Sequence, residues 1–113
     1  MNWTIAYYSK SLQEEILDMS AGFLGRYLRY SDRMEIFGPD LGMPHTRAMG
    51  EGLFELRLKG AEGIARVFYC TAMGKKIVIL HQFIKKTNKT PPGEIAKARR
   101  RMKEVKDAHT QGA

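Results

Sequence analysis

The chain predicts an α+β fold: a small, mostly antiparallel sheet in the order β-α(α)-β-β-β-α, with its helices packed on one face. Three observations carry that prediction. Segments Leu53–Leu58, Ile64–Cys70 and Ile77–Ile84 are rich in β-branched and aromatic residues and are separated by short turns containing glycine. Apolar residues at helical spacing precede them, and a basic stretch with a narrow apolar stripe follows. Helices set apart from a run of consecutive strands point to α+β architecture. At 113 residues the chain is one domain, 1–113, able to bury a core without disulfides or a structural metal.

The elements follow in order. Trp3 to Tyr8 is dense in aromatics and ends at polar Ser9-Lys10, which reads as a short strand. Ser11 with Glu14 three residues on has the pattern of a capping box, and Leu12, Ile16, Leu17, Phe23, Leu24, Tyr27 and Leu28 recur at helical spacing. Gly22 and Gly25 interrupt that pattern, each weakening a helix by about 1 kcal/mol. They leave either a bent helix or two helices meeting near Ala21-Gly22. Residues 37–52 hold four glycines and two prolines, which predicts the longest loop.

The turns Lys59–Gly63 and Ala72–Lys75 are short enough to make the next three strands an antiparallel meander. Pro91-Pro92-Gly93 then stops the last strand and opens a basic helix over about 94–108. Ile95, Ala98, Met102 and Val105 give that helix one thin apolar face. His109–Ala113 reads as a frayed end, and the sheet face away from the helices is expected to be free for a ligand.

The formal net charge is +7 and the isoelectric point about 9.7. Eleven Lys and Arg between Lys75 and Lys106 face only Glu94 and Glu104, so this third carries +9 and the remainder −2. A polyanionic partner is expected, with nucleic acid ahead of a membrane surface. Cys70 is the single cysteine, which excludes an internal disulfide and fits a cytoplasmic, reducing setting. Neither a signal-peptide pattern nor a run of roughly 18 apolar residues is present, so no membrane association is expected.

Glu55-Leu56-Arg57, then Ala65-Arg66-Val67-Phe68-Tyr69, then Leu80-His81-Gln82-Phe83-Ile84-Lys85-Lys86-Thr87 followed by Pro91, resemble the HigB-like, phage-derived branch of the RelE/ParE toxin superfamily. The resemblance runs from about Trp3 to Lys106, and its more specific part is the Phe-x-Lys-Lys-Thr element with the downstream proline. It implies a RelE-like fold and the toxin of a toxin–antitoxin module, partnered by a helix-turn-helix antitoxin. It also implies a ribosome-dependent, metal-independent mRNA endoribonuclease, an mRNA interferase that blocks translation and needs no cofactor. The chain departs from RelE-type relatives that carry a tyrosine or histidine near the chain end as part of the active site. Here the basic helix closes in Asp107-Ala108-His109 and no tyrosine follows Tyr69.

Metal-free RNA cleavage needs a base for the 2′-hydroxyl proton, cationic donors for charge developing on the phosphate, and an acid for the leaving 5′-oxygen. Arg57 and Arg66 break otherwise apolar strands, and a guanidinium belongs there when an anion meets it. On neighbouring strands they could converge on one phosphate, or they could form surface ion pairs, Arg57 with Glu55 or Glu51 and Arg66 with Glu62. Lys85 and Lys86 are consecutive, so in a continuing strand they point to opposite faces; Lys86 is taken as the active-site member.

His81, in an apolar strand, and His45, on the long loop, are the candidate proton-transfer groups. Glu55 reads more readily as a counter-charge than as a base. Lys85, Lys89, Lys97, Arg99, Arg100, Arg101 and Lys103 form a candidate track for RNA or ribosomal phosphates, the other use of such residues being a solvated helix face. No His, Cys or carboxylate spacing suits a metal site. Two other readings remain: a ParE-like inhibitor of DNA gyrase with no nuclease activity, and a non-catalytic RNA-binding protein.

Overall fold

The computed structural model describes residues 2–85 and 90–112, with side chains described as far as Ala108. Strand β1 (Thr4–Tyr7) leads into helices α1 (Lys10–Leu17) and α2 (Ala21–Phe37). Strands β2 (Thr46–Gly50), β3 (Leu53–Gly60), β4 (Gly63–Ala72) and β5 (Lys76–Lys85) follow, and helix α3 (Pro92–Gly112) completes the order. The five strands form one mixed sheet in the order β1-β5-β4-β3-β2. Strands β2 to β5 pair antiparallel in succession, and β1 lies parallel to β5. The α+β class stands, and the arrangement is consistent with the RelE-like fold.

The long Gly/Pro segment is not wholly a loop, because Thr46–Gly50 pairs with β3. Glu51 and Gly52 take φ of 57° and 87°, the positive values that a two-residue primed hairpin turn requires at both central positions. Gly50 and Gly52 therefore serve the hairpin where they had read as breakers. The helix start also differs. Ser9, not Ser11, caps α1, its hydroxyl accepting from the Leu12 amide at 3.1 Å. The break between α1 and α2 falls at Asp18–Ser20, ahead of Gly22. The last helix is longer than expected at both ends and takes in residues read as frayed.

The largest difference concerns the helices' side. On one face Leu12 and Ile16 of α1 and Phe23, Tyr27 and Met34 of α2 pack on Leu56, Leu58, Ala65, Val67, Tyr69, Ile77 and Ile79. On the other, Ala98 and Met102 of α3, flanked by Ile95 and Val105, pack on Leu53, Phe68, Cys70, Val78 and Leu80. The expectation of helices on one face alone is thus corrected. Alternate residues of β4 and β5 are apolar in both directions, so both faces need cover. α3 docks by its predicted thin stripe and leaves the rest of its face to polar groups.

Candidate functional site

The strand register lines up the polar groups on the α3 face. Arg47 lies opposite Glu55, Glu55 opposite Phe68, and Phe68 opposite His81, one row across four strands. In the next row Arg57 lies opposite Arg66 and Arg66 opposite Phe83. Residues two apart in a strand share a face, so the two rows form one surface patch.

Glu55 is the centre of the patch and is only 1% exposed. One carboxylate oxygen stands 3.8 Å from Arg47 Nε and 3.9 Å from Arg57 Nε, and the other 3.6 Å from Arg66 Nε. The Thr90 hydroxyl donates to the second oxygen at 3.1 Å. Three guanidinium groups against one carboxylate leave two positive charges in excess. Their exposure is graded: the side chains of Arg47, Arg57 and Arg66 are 48%, 17% and 1% accessible.

Arg66 is therefore the buried root of the cluster, and Arg57 and Arg47 carry its charge outward. Burial, with Arg57 and Arg47 nearby, pulls the Arg66 pKa below its ordinary value, while Glu55 opposes that shift. The Arg66 guanidinium also stands 5.7 Å from the centre of the Phe83 ring. Arg57 Nε is buried and makes no hydrogen bond among the described residues.

His81 sits at the other end of the first row. Its ring stacks at 6.3 Å on Phe68 and 6.2 Å on Phe83, and Nε2 lies 2.5 Å from Glu94 Oε1 at the start of α3. Burial lowers the imidazole pKa from 6.5; Glu94 works the other way, and Lys97 and Arg101 add to the lowering.

The candidate residues thus divide. Arg57 and Arg66 come together on a shared internal carboxylate, on a face that α3 covers in part and not on a free one. The Arg57–Glu55 pair, one of the ion pairs weighed from the sequence, is present at 3.9 Å, whereas neither Arg57–Glu51 nor Arg66–Glu62 is found among the described residues. His81 joins their face. His45 does not: its ring packs at 4.7 Å on Tyr30 of α2, and it meets Arg57 only where its carbonyl accepts the Arg57 amide at 2.9 Å. Lys86 and Lys89 lie outside the described residues, and Lys85 ends β5 in an exposed position.

The proposed phosphate track on α3 also splits. Arg99 donates to the Met49 and Gly50 carbonyls at 3.0 and 3.2 Å. Arg101 donates to the Leu80 carbonyl at 2.8 Å and lies over the Tyr8 ring. These two arginines fasten the helix to the sheet, whereas Arg100 and Lys103 are exposed and Lys97 is half-buried. The Tyr7 hydroxyl bonds to that of Tyr27 and the Tyr8 hydroxyl donates to Glu104, and Phe68 and Tyr69 are core.

Arg47, Phe83, Thr90 and Glu94 are members that sequence reasoning did not single out for the site. Alternation in Thr46-Arg47-Ala48-Met49 ahead of Glu51-Gly52 is the one signal that could have found Arg47. Glu94 and Thr90 reach the site only through the fold. Concavities at the Lys59–Ile64 turn and beside Ser11–Asp18 hold none of these groups. No cluster of three metal-ligating side chains occurs among the described residues, and no helix among them is long and apolar enough to cross a membrane.

No curated protein is significantly similar to the chain. Residues 14–103, which contain the whole patch, match the family model described as phage derived protein Gp49-like (DUF891).

Proposed function

The chain belongs to the Gp49-like family of phage-derived proteins, and from that premise we propose that it is the toxin of a toxin–antitoxin module, of the HigB-like branch of the RelE/ParE superfamily. It acts as a ribosome-dependent, metal-independent mRNA endoribonuclease, and a helix-turn-helix antitoxin silences it. The observation that carries this reading is the gathering of Arg47, Arg57 and Arg66 from three strands around Glu55, with two positive charges in surplus. A surplus of fixed donors beside an imidazole is the equipment that a phosphodiester cleavage without a metal demands.

In this reading the exposed ends of Arg47 and Arg57 receive the scissile phosphate, while the buried Arg57 Nε stays on the Glu55 side. Arg66 and Glu55 hold those two groups in place from behind, and Lys86 adds a further cation. Proton transfer falls to His81 or His45. Arg100 and Lys103 supply contacts to ribosomal phosphates that weaken as salt rises. Cleavage takes place in the cytoplasm, on messages under translation.

The burial of Arg66 and Glu55 favours a second reading, a ParE-like gyrase inhibitor in which the cluster is structural and no RNA is cut. Primer extension on a translated message, with and without ribosomes, separates the two. Fragments that appear only with ribosomes support the interferase. An intact message, together with gyrase trapped on DNA, would establish the inhibitor instead.

A further inference from the structure

We propose that His81, oriented by Glu94, is the general base of this site, so that Glu94 is a positioning residue supplied by α3. The inference rests on the endoribonuclease reading and assigns its proton-transfer step.

The geometry begins with Glu94. An ionised carboxylate only accepts hydrogen bonds, so at 2.5 Å the hydrogen of a neutral His81 ring sits on Nε2. Nδ1 is then the lone pair, and no hydrogen bond engages it among the described residues. This is the logic of a base held in one tautomer and one orientation by a third group. Phe68 and Phe83 fix the plane of the ring from the sheet side.

Phe83 also borders the arginines, since its ring centre is 5.7 Å from the Arg66 guanidinium and 6.2 Å from the imidazole. The base and Arg66 thus flank one ring on the face that carries Arg47 and Arg57, while His45 is turned toward α2. The charged groups around His81 are Glu94, Lys97 and Arg101, all from α3; its sheet neighbours in ring contact, Phe68 and Phe83, are uncharged. Burial outweighs Glu94 and keeps the ring neutral at pH 7, the form a base requires.

The step balances without a co-reactant. Nδ1 takes the 2′-hydroxyl proton as the 2′-oxygen bonds to phosphorus. The bond from phosphorus to O5′ breaks, and the leaving oxygen takes a proton from water. The products are a 2′,3′-cyclic phosphate and a 5′-hydroxyl, and the imidazolium returns its proton to solvent.

The test is single-turnover cleavage of a ribosome-bound message between pH 5 and 8 by the wild type, His81→Gln and Glu94→Gln, with each fold checked by circular dichroism. The wild-type rate should rise with pH through the His81 titration. His81→Gln should be slowed about 10²- to 10⁴-fold and lose that acidic limb. Glu94→Gln, a change at the helix surface, should keep the limb but move it to lower pH, because the carboxylate holds the imidazole pKa up. A purely structural Glu94 would alter melting and leave the limb where it was, and that result overturns its role. A folded His81→Gln protein that cleaves at the full rate overturns the base. A wild type that cuts nothing with ribosomes present refutes the endoribonuclease reading itself, and this assignment falls with it.

Discussion

Replacing Glu55 by glutamine keeps the side chain's size and removes the one negative charge that Arg47, Arg57 and Arg66 share. At about 4 Å and an effective dielectric near 20, each contact corresponds to roughly 4 kcal/mol of Coulomb energy before desolvation is counted. The contacts are not equal. Arg47, 48% exposed, is screened by water and is worth at most about 1 kcal/mol. The Arg66–Glu55 pair is buried on both sides, and removing one member of such a pair costs about 3–5 kcal/mol because the other charge is left uncompensated.

Glu55→Gln should therefore lose about 3–5 kcal/mol, a large fraction of the roughly 5–15 kcal/mol that holds a domain of this size. At about 4 °C per kcal/mol, Tm should drop by roughly 12–20 °C. Urea unfolding followed by circular dichroism reads the difference as a shift in midpoint at constant slope. The paired change Glu55→Met with Arg66→Met should recover most of the loss, since an apolar pair of similar volume can stand in for a buried ion pair. A Glu55→Gln protein within about 1 kcal/mol of wild type would refute the picture of a carboxylate holding the three guanidinium groups together.

Four further outcomes follow from the same structure. Arg57→Ala should unfold at nearly the wild-type urea concentration yet lose at least about 100-fold in cleavage, as removal of a donor to developing charge does; a variant that cuts normally would separate Arg57 from the reaction. Gly60→Ala should cost about 1–3 kcal/mol in urea unfolding, because the new Cβ would lie 2.9 Å from the buried Phe23 ring. Stability should fall as pH drops below 6.5: the folded His81 pKa lies below its unfolded value, so the unfolded chain binds the proton first and the contribution present above 6.5 is lost on acidification. Midpoints measured across that range should lose this slope in His81→Gln. Arg100→Ala and Lys103→Ala should each reduce the salt slope of RNA binding by about one without changing Tm, whereas Arg101→Ala should lower Tm by loosening α3.

The sheet's central meander is legible because each strand carries strong apolar patterning and each turn carries a glycine. β2 is harder to see, since the positive φ that Gly50 and Gly52 supply to a hairpin looks like interruption when read along the chain. The side taken by α3 has its own signal, in the unbroken run Val67-Phe68-Tyr69-Cys70. A strand covered on one face alternates, and one apolar in every position is covered on both. In the site, the pairing of Arg57 with Arg66 follows from their places in adjacent strands. Their common partner does not, because Glu62 is nearer to Arg66 in sequence than Glu55 is. Register decides between them: Glu62 lies in the turn beyond the end of the pairing, while Glu55 lies one row from Arg66 on its own face.

That same register explains why the basic character of the last third does not translate into one continuous basic surface. α3 has too few apolar residues to dock by burial alone, and it makes up the difference with cations that bond to backbone carbonyls: Arg99 at the β2 hairpin, Arg101 at Leu80 and Lys106 at Thr71. Leu80 is the extra residue where the β4–β5 register shifts between Phe68 and Tyr69, so its carbonyl is open to Arg101 because the ladder is interrupted there. The interruption also absorbs the extra residue, so that His81 keeps the row of Glu55 and Phe68, under Glu94 at the start of the helix. One irregularity in one strand thus fastens the helix and leaves the imidazole on the arginine face. Deleting Leu80 should restore the regular ladder with His81 still opposite Phe68, because Ile79 faces α1 and α2 and the residue after it faces α3. The imidazole should keep its row, while α3 loosens and Tm falls through loss of the Leu80 side chain and of the carbonyl that Arg101 binds.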